Sequence, residues 1–176
     1  TWLVEKLRRA LDESKHLRHI QIVIRPHPAN FEIYRRMDVP GIVIVPKQTT
    51  LPYTSSSEQL FYDSIHYASS AVVGANTTAA IDSIVLGKSV IAYLDKTYAK
   101  TQVETSHFQQ LLSAGVFYLA HTVEEFLKSV EVVVSGNDEL RNVRTAYIER
   151  FIRPRGIDQA ASDAAAEEIE TVVYER

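Results

Sequence analysis

Cysteine is missing altogether from the 176-residue chain. That excludes disulfides and thiolate metal ligands, and it suits a reducing compartment. Long apolar runs are missing too. None approaches the ~20 residues a membrane-crossing helix needs, and no secretory signal pattern is visible, so a soluble, cytoplasmic protein is expected. Positive charge is not in excess: 19 Lys and Arg stand against 22 Asp and Glu, for a formal net charge of -3. A nucleic-acid partner, which calls for a concentrated basic face, is therefore not expected. Internal repeats and low-complexity tracts are absent. So are the Walker and dinucleotide glycine patterns, the Gly-x-Ser-x-Gly elbow and any histidine spacing suited to a metal. What remains is an ordinary globular balance, with 45% apolar and 23% charged residues, in a chain long enough for one domain with a sizeable core.

Strand and helix patterns alternate along it. Trp2, Leu3, Leu7 and Leu11 fall on one stripe of a helix predicted over residues 2–17. This helix reads as one whose preceding strand is missing, so the chain is expected to be a piece of a longer protein. Ile20 to Arg25 is a β-branched run, predicted as a buried strand and stopped by Pro26-His27-Pro28. A short helix over Phe31 to Met37 and a strand over Ile42 to Val45 follow. Residues 47–57 read as a polar turn, with Ser57 as N-cap of a helix over about 58–69. Then come a strand at Ala71 to Gly74, a helix from Thr78 to Leu86 and a strand at Val90 to Leu94. A loop is expected over 95–103, a helix near 104–113 and a last strand at Val116 to Leu119. Thr122 opens a helix reaching about Val134, with Glu124 and Glu125 in its first turn, where the helix dipole favours them. Helices over about 138–151 and 160–174 flank a break at Arg153-Pro154-Arg155-Gly156. The pattern predicts a single α/β domain spanning 1–176: a Rossmann-like, doubly wound parallel sheet of about five strands with extra C-terminal helices over about 138–174.

Candidate chemistry concentrates at two strand ends, which in a parallel sheet fall on the carboxyl-terminal edge where such folds place ligands. One is Asn76-Thr77-Thr78, a hydroxyl-bearing turn at the start of a helix. A helix start presents unpaired amides and a partial positive charge, so it attracts phosphate; plain capping of the helix is the competing reading. The other is the corner carrying Arg25 and His27. Held between prolines, His27 is placed to donate to a phosphate oxygen, although a structural turn also accounts for it. Arg25 pairs either with a core carboxylate or with the same ligand. Asp82 lies one helical turn past Thr78 and shares its face; it either accepts from a ribose hydroxyl, orients His27, or pairs with Lys88. His66 reads as a surface or core histidine. The acidic pairs Asp138-Glu139 and Glu167-Glu168 read as solvated helix faces. The Arg153–Gly156 break either holds a phosphate, a substrate or another domain, or is an ordinary kinked connection, the reading preferred here.

Arg25-Pro26-His27-Pro28, followed by Gly74-x-Asn76-Thr77-Thr78-x3-Asp82 and then Gly87-Lys88-Ser89-Val90, resembles the carboxyl-terminal half of GT-B glycosyltransferases. The nearest pattern is that of CDP-glycerol glycerophosphotransferases, capsule polysaccharide transferases and bacterial sialyltransferases. The resemblance covers roughly residues 20–95. It implies that His27 stands in the family's His-Pro motif, as the catalytic position, and that Thr77 and Thr78 stand in its hydroxyl-pair motif, both holding the donor's phosphates. Asp82 resembles the acidic residue that follows that pair in the glycerophosphotransferases. The second motif departs from the family's, being Asn-Thr-Thr rather than Ser-Ser or Ser-Thr. The resemblance further implies a nucleotide-activated sugar or alditol donor as substrate, no cofactor and no bound metal. It implies an acceptor domain amino-terminal to this one and a role in surface polysaccharide synthesis, in the cytoplasm or at the inner face of the membrane through the parent protein. The isolated chain is then expected to be inactive. A sugar-nucleotide epimerase of the same fold and a non-catalytic Rossmann-like assembly or regulatory module are the alternatives.

Overall fold

The computed structural model describes residues 2–27, 30–46, 54–67, 72–74 and 78–174. Along them, five strands and eight α-helices alternate: α1 (Trp2–Glu13), β1 (Ile22–Ile24), α2 (Phe31–Tyr34), β2 (Ile42–Ile44), α3 (Ser55–Tyr67), β3 (Val72–Gly74), α4 (Ala79–Val85), β4 (Val90–Tyr93), α5 (Ser106–Ser113), β5 (Tyr118–Ala120), α6 (Val123–Val134), α7 (Arg141–Tyr147) and α8 (Ala161–Tyr174). Every pairing between strands is parallel, so the α/β class holds. The single five-stranded sheet does not. β1 pairs with β2 in one sheet, β3–β4–β5 form another, and no ladder joins the two among the described residues.

β4 explains the core. All four of its residues are buried, and because side chains alternate across a strand they feed opposite faces. Val90, Ala92 and Leu94 pack with Ala80 and Ile84 of α4, Phe108 and Leu111 of α5, and Val116 and Phe117. Ile91 and Tyr93 pack with Leu7 and Leu11 of α1, Ala120 of β5, and Phe126 and Val130 of α6. Helices therefore cover both faces of the three-stranded sheet, which is why its strands read as near-continuous apolar runs. Each fully buried Leu, Ile, Val or Phe side chain contributes about 1.5–3 kcal/mol, so this doubly covered strand is the centre of the stability.

Local signals set the boundaries. α1 stops at Glu13 rather than 17, because the Ser14 hydroxyl accepts from the Leu17 amide at 3.3 Å and winds the chain into a turn. α3 begins at Ser55, and the Glu58 amide donates to the Thr54 carbonyl at 3.0 Å; Ser57 thus lies inside the first turn instead of capping it. The expected loop over 95–103 contains a 3-10 helix, Lys96–Thr101, capped by Asp95, whose carboxylate accepts from the Thr97 amide at 2.8 Å. The last strand starts two residues later and ends one later than expected, and Val116 and Phe117 fill the core ahead of it. The predicted 138–151 helix is α7 followed by one turn of π-helix, Ile148–Ile152. Thr122 does cap α6, accepting from the Glu125 amide at 3.2 Å, while the Glu125 carboxylate accepts from the His121 amide at 2.6 Å, a reciprocal arrangement close to a capping box. α4 ends as a Schellman turn: the Lys88 amide reaches the Ser83 carbonyl at 2.8 Å and the Gly87 amide the Ile84 carbonyl at 2.9 Å. Gly87 takes a φ of +73° there, a conformation that favours glycine.

Candidate functional site

Three strand ends of the larger sheet, and one of the smaller, carry the candidate chemistry. β3 runs toward α4 with Thr78 at the helix cap; β4 runs into Asp95; β5 runs into Thr122. Asp95 and Thr122 each commit a side-chain oxygen to a backbone amide of the helix that follows. Thr78 does not: it is exposed, and its hydroxyl makes no capping hydrogen bond to α4. Plain capping by this hydroxyl is therefore excluded. Asn76 and Thr77 lie outside the described residues.

Asp82 sits in the first turn of α4, partly buried. Burial pushes its carboxyl above the ordinary carboxylate range. The alternative that pairs it with Lys88 fails, since the Lys88 ammonium instead donates to the His66 carbonyl at 2.7 Å and ties the end of α3 to the turn after α4. Among the described residues Asp82 enters no ion pair. It is a carboxyl facing a cost for ionisation without a cation to offset it.

In the smaller sheet, β1 ends at Ile24 and the chain continues through Arg25, buried Pro26 and exposed His27. The His27 carbonyl accepts from the Asn30 amide at 2.8 Å, which turns the chain into α2. The Arg25 guanidinium carbon sits over the Phe61 ring of α3, 4.5 Å from its centre, a cation–π contact that anchors α3 against the end of β1. His27 and Thr78 both follow strand ends, but in different sheets. A shared edge for the two is not established by hydrogen-bonded register.

Sequence reasoning misplaced one polar cluster outright. Asp138, expected on a solvated face, is 10% exposed, and its partner Arg144 is 4% exposed. Asp138 accepts from the Ser89 hydroxyl at 2.8 Å, the Tyr118 hydroxyl at 3.0 Å and the Arg144 guanidinium. Burial alone would push its carboxyl up. The hydrogen bonds from Ser89 and Tyr118 and the Arg144 charge outweigh that and hold it below the ordinary range. Ser89 precedes β4 and Tyr118 begins β5, so this cluster locks α7 to the amino-terminal edge of the sheet, away from the candidate site. Only tertiary contact reveals it, because Ser89 and Asp138 are 49 residues apart. At the carboxyl edge, the buried Gln102 amide donates to the Tyr93 carbonyl at 3.1 Å. Burial pushes the Tyr93 phenol up, and the charges of Asp95, Glu124 and Glu125 add to the effect. Those carboxylates thus gather at the ends of β4 and β5. The sequence signal for part of that group is Glu124 and Glu125 in the first turn of the helix that Thr122 opens.

The Arg153–Gly156 break is tied to the segment that follows it and borders a cleft lined by Arg153, Pro154, Arg155 and Glu168. Arg153 donates to the Gln159 carbonyl at 2.8 Å, and Arg155 pairs with Glu167 at 2.6 Å and with Glu168. Another cleft among the described residues, about 620 Å³, is lined by Ser55, Ser56, Gln59, Leu60 and Asp63. All five come from α3, and one helix face cannot enclose a ligand, so the cleft is not taken as the site. No three His, Asp or Glu side chains come together as a metal site among the described residues, and no helix there is long and apolar enough to cross a membrane. No family model, curated protein or solved structure matches the chain.

Proposed function

We propose that this domain binds the nucleotide of an activated sugar or alditol donor, as the donor half of a GT-B-like transferase in surface polysaccharide synthesis. One observation carries the reading. Of the three strand-to-helix corners in the larger sheet, only the one with the Asn-Thr-Thr pattern keeps its cap hydroxyl out of the fold's own hydrogen bonding. A hydroxyl at a helix start is suited to a phosphate oxygen. In this reading Thr77 and Thr78 hold the leaving phosphate, and His27 donates to it. Their hydrogen bonds strengthen as the donor bond breaks and negative charge grows on the phosphate oxygens. Asp82, with ionisation disfavoured, serves as a hydrogen-bonding partner to the ribose or to that network. Arg25, held on Phe61, adds positive field near His27. The acceptor and the base that activates it belong to a partner domain, so the chain alone binds nucleotide without turning it over.

The reading supposes that the two sheets act as one Rossmann-like layer with His27 and Thr78 on a common edge. Calorimetric titration with CMP, CDP, UDP and GDP tests it. The expected result is binding of one base family, lost in His27→Ala and weakened at least ~10-fold in Thr78→Val, about 1.4 kcal/mol, with the melting temperature of both variants unchanged. Absence of binding for all four at millimolar concentration refutes it.

A further inference from the structure

The connection that leaves the carboxyl end of β4 is held by a buried side chain. Gln102, 4% exposed, donates from its side-chain amide to the Tyr93 carbonyl at 3.1 Å, and its side-chain oxygen accepts from the Asp95 amide at 3.4 Å. The backbone amide of Gln102 donates to the Tyr98 carbonyl at 2.9 Å, and that carbonyl also accepts from the Thr101 hydroxyl at 3.1 Å. Asp95 fixes the other end. Its carboxylate accepts from the Thr97 amide at 2.8 Å and its carbonyl from the Tyr98 amide at 3.0 Å. A buried polar group satisfied on both sides rigidifies the backbone it holds. The backbone held here is the 3-10 helix Lys96–Thr101.

That helix presents an aromatic ring to solvent. Tyr98 is 60% exposed, with Lys96, Thr97 and Lys100 exposed around it. A single exposed ring is ordinary on a protein surface. This one differs in its mounting, because tyrosine has only two side-chain torsions and its backbone is already fixed. Such a ring offers a large contact area at a low entropic cost.

The mounting stands beside the Thr78 corner. β3 and β4 are parallel neighbours, with Gly74 in register with Ala92, so both leave the sheet at its carboxyl edge. The segments that follow them cover the same face. Ala80, Ile81 and Ile84 of α4 share one apolar cluster with Val103 and with Phe108 and Leu111 of α5. Thr78 opens the first of these segments and Tyr98 lies in the second.

We propose that Tyr98 is the stacking platform for the base of the nucleotide whose phosphate Thr78 holds. This inference rests on the nucleotide-binding reading given above, and it assigns the base to the end of β4, one strand over from the phosphate. The π-face of a tyrosine accepts every base, because every base has a π-face of its own. Tyr98 thus supplies affinity without choosing between bases, and Lys96 and Lys100 add positive charge to the same corner.

The test uses whichever of CMP, CDP, UDP and GDP the wild-type chain binds by calorimetry. Tyr98→Ala should weaken that nucleotide at least ~10-fold, whereas Tyr98→Phe, which keeps the ring, should retain the wild-type affinity. In the wild-type complex the Tyr98 ring protons should shift upfield in the NMR spectrum, a readout that needs no variant to fold. Wild-type affinity in Tyr98→Ala, or ring protons that do not move, overturns the platform and leaves the phosphate reading standing. A loss in Tyr98→Phe equal to that in Tyr98→Ala also overturns it, since the hydroxyl and not the ring face would then make the contact. Absence of binding for all four nucleotides in the wild type overturns the nucleotide reading, and the platform with it.

Discussion

The amino-terminal and carboxyl-terminal edges of the larger sheet use polar residues in opposite ways. At the amino edge Ser89, Tyr118, Asp138 and Arg144 close a buried network around one carboxylate. At the carboxyl edge beyond β3, Thr78 keeps its hydroxyl out of the cap, and Asp82 has burial without a cation. One edge spends its polar groups on holding helices in place. The other leaves the exposed Thr78 hydroxyl outside the helix cap. The two edges differ in what their polar groups bond: side chains drawn together around Asp138 on one, although one buried nitrogen of Arg144 has no partner there, and solvent at the exposed Thr78 on the other.

The sharpest way to break this contrast is to remove Arg144. Arg144→Ala strands a buried carboxylate and should cost about 3–5 kcal/mol, read from the urea midpoint. A loss under about 1 kcal/mol, the range of exposed pairs, would mean the network is solvated and no lock at all. Ile91→Ala, at a residue with no exposed surface, should cost about 2–5 kcal/mol. Val23→Thr, in the open sheet, should stay within about 0.5 kcal/mol; parity between the two would erase the distinction between the sheets.

Acid unfolding sharpens the comparison through opposite signs. The Asp138 carboxyl is held below its unfolded value. Its contribution is therefore fully present above the unfolded pKa of about 3.9 and is lost as pH falls through the lower folded value. Asp138→Asn should flatten that acid limb while lowering stability at neutral pH. Asp82 is raised by burial, so its contribution is present below about pH 3.9 and is lost as pH rises through the higher folded value. Asp82→Asn should thus leave the urea midpoint at pH 7 unchanged or slightly higher. A clear drop would show that the ionised carboxylate has a stabilising partner.

Much of the element order was legible because its signals are local. The leucine stripe of α1, the β-branched run of β1 and Thr122 with Glu124 and Glu125 after it are patterns within one segment, and each led to the element observed. The division into two sheets was not legible, since no periodicity in Ile22–Ile24 or Val72–Gly74 says which strand lies beside which. Asp138 was misread for a related reason: a carboxylate next to Glu139 near a helix start looks solvated until Ser89, Tyr118 and Arg144 converge on it from distant segments. At the candidate site, the sequence singled out Thr78 and Asp82 by residue type and spacing. That the Thr78 hydroxyl goes unused in the cap, and that Lys88 turns to the His66 carbonyl, came from geometry.

The amino-edge lock also has a kinetic side. Its members are drawn from before β4, from β5, from the turn ahead of α7 and from α7 itself, with Arg144 and Ser89 55 residues apart. Closing such a loop before any of its contacts form is entropically costly, so the cluster should assemble after the rate-limiting step of folding rather than within it. Interactions made late leave the folding rate nearly untouched and slow the escape from the native state. Arg144 would then govern how long a folded molecule survives more than how quickly it forms. In a chevron plot, the effect of Arg144→Ala should fall almost wholly on the unfolding limb.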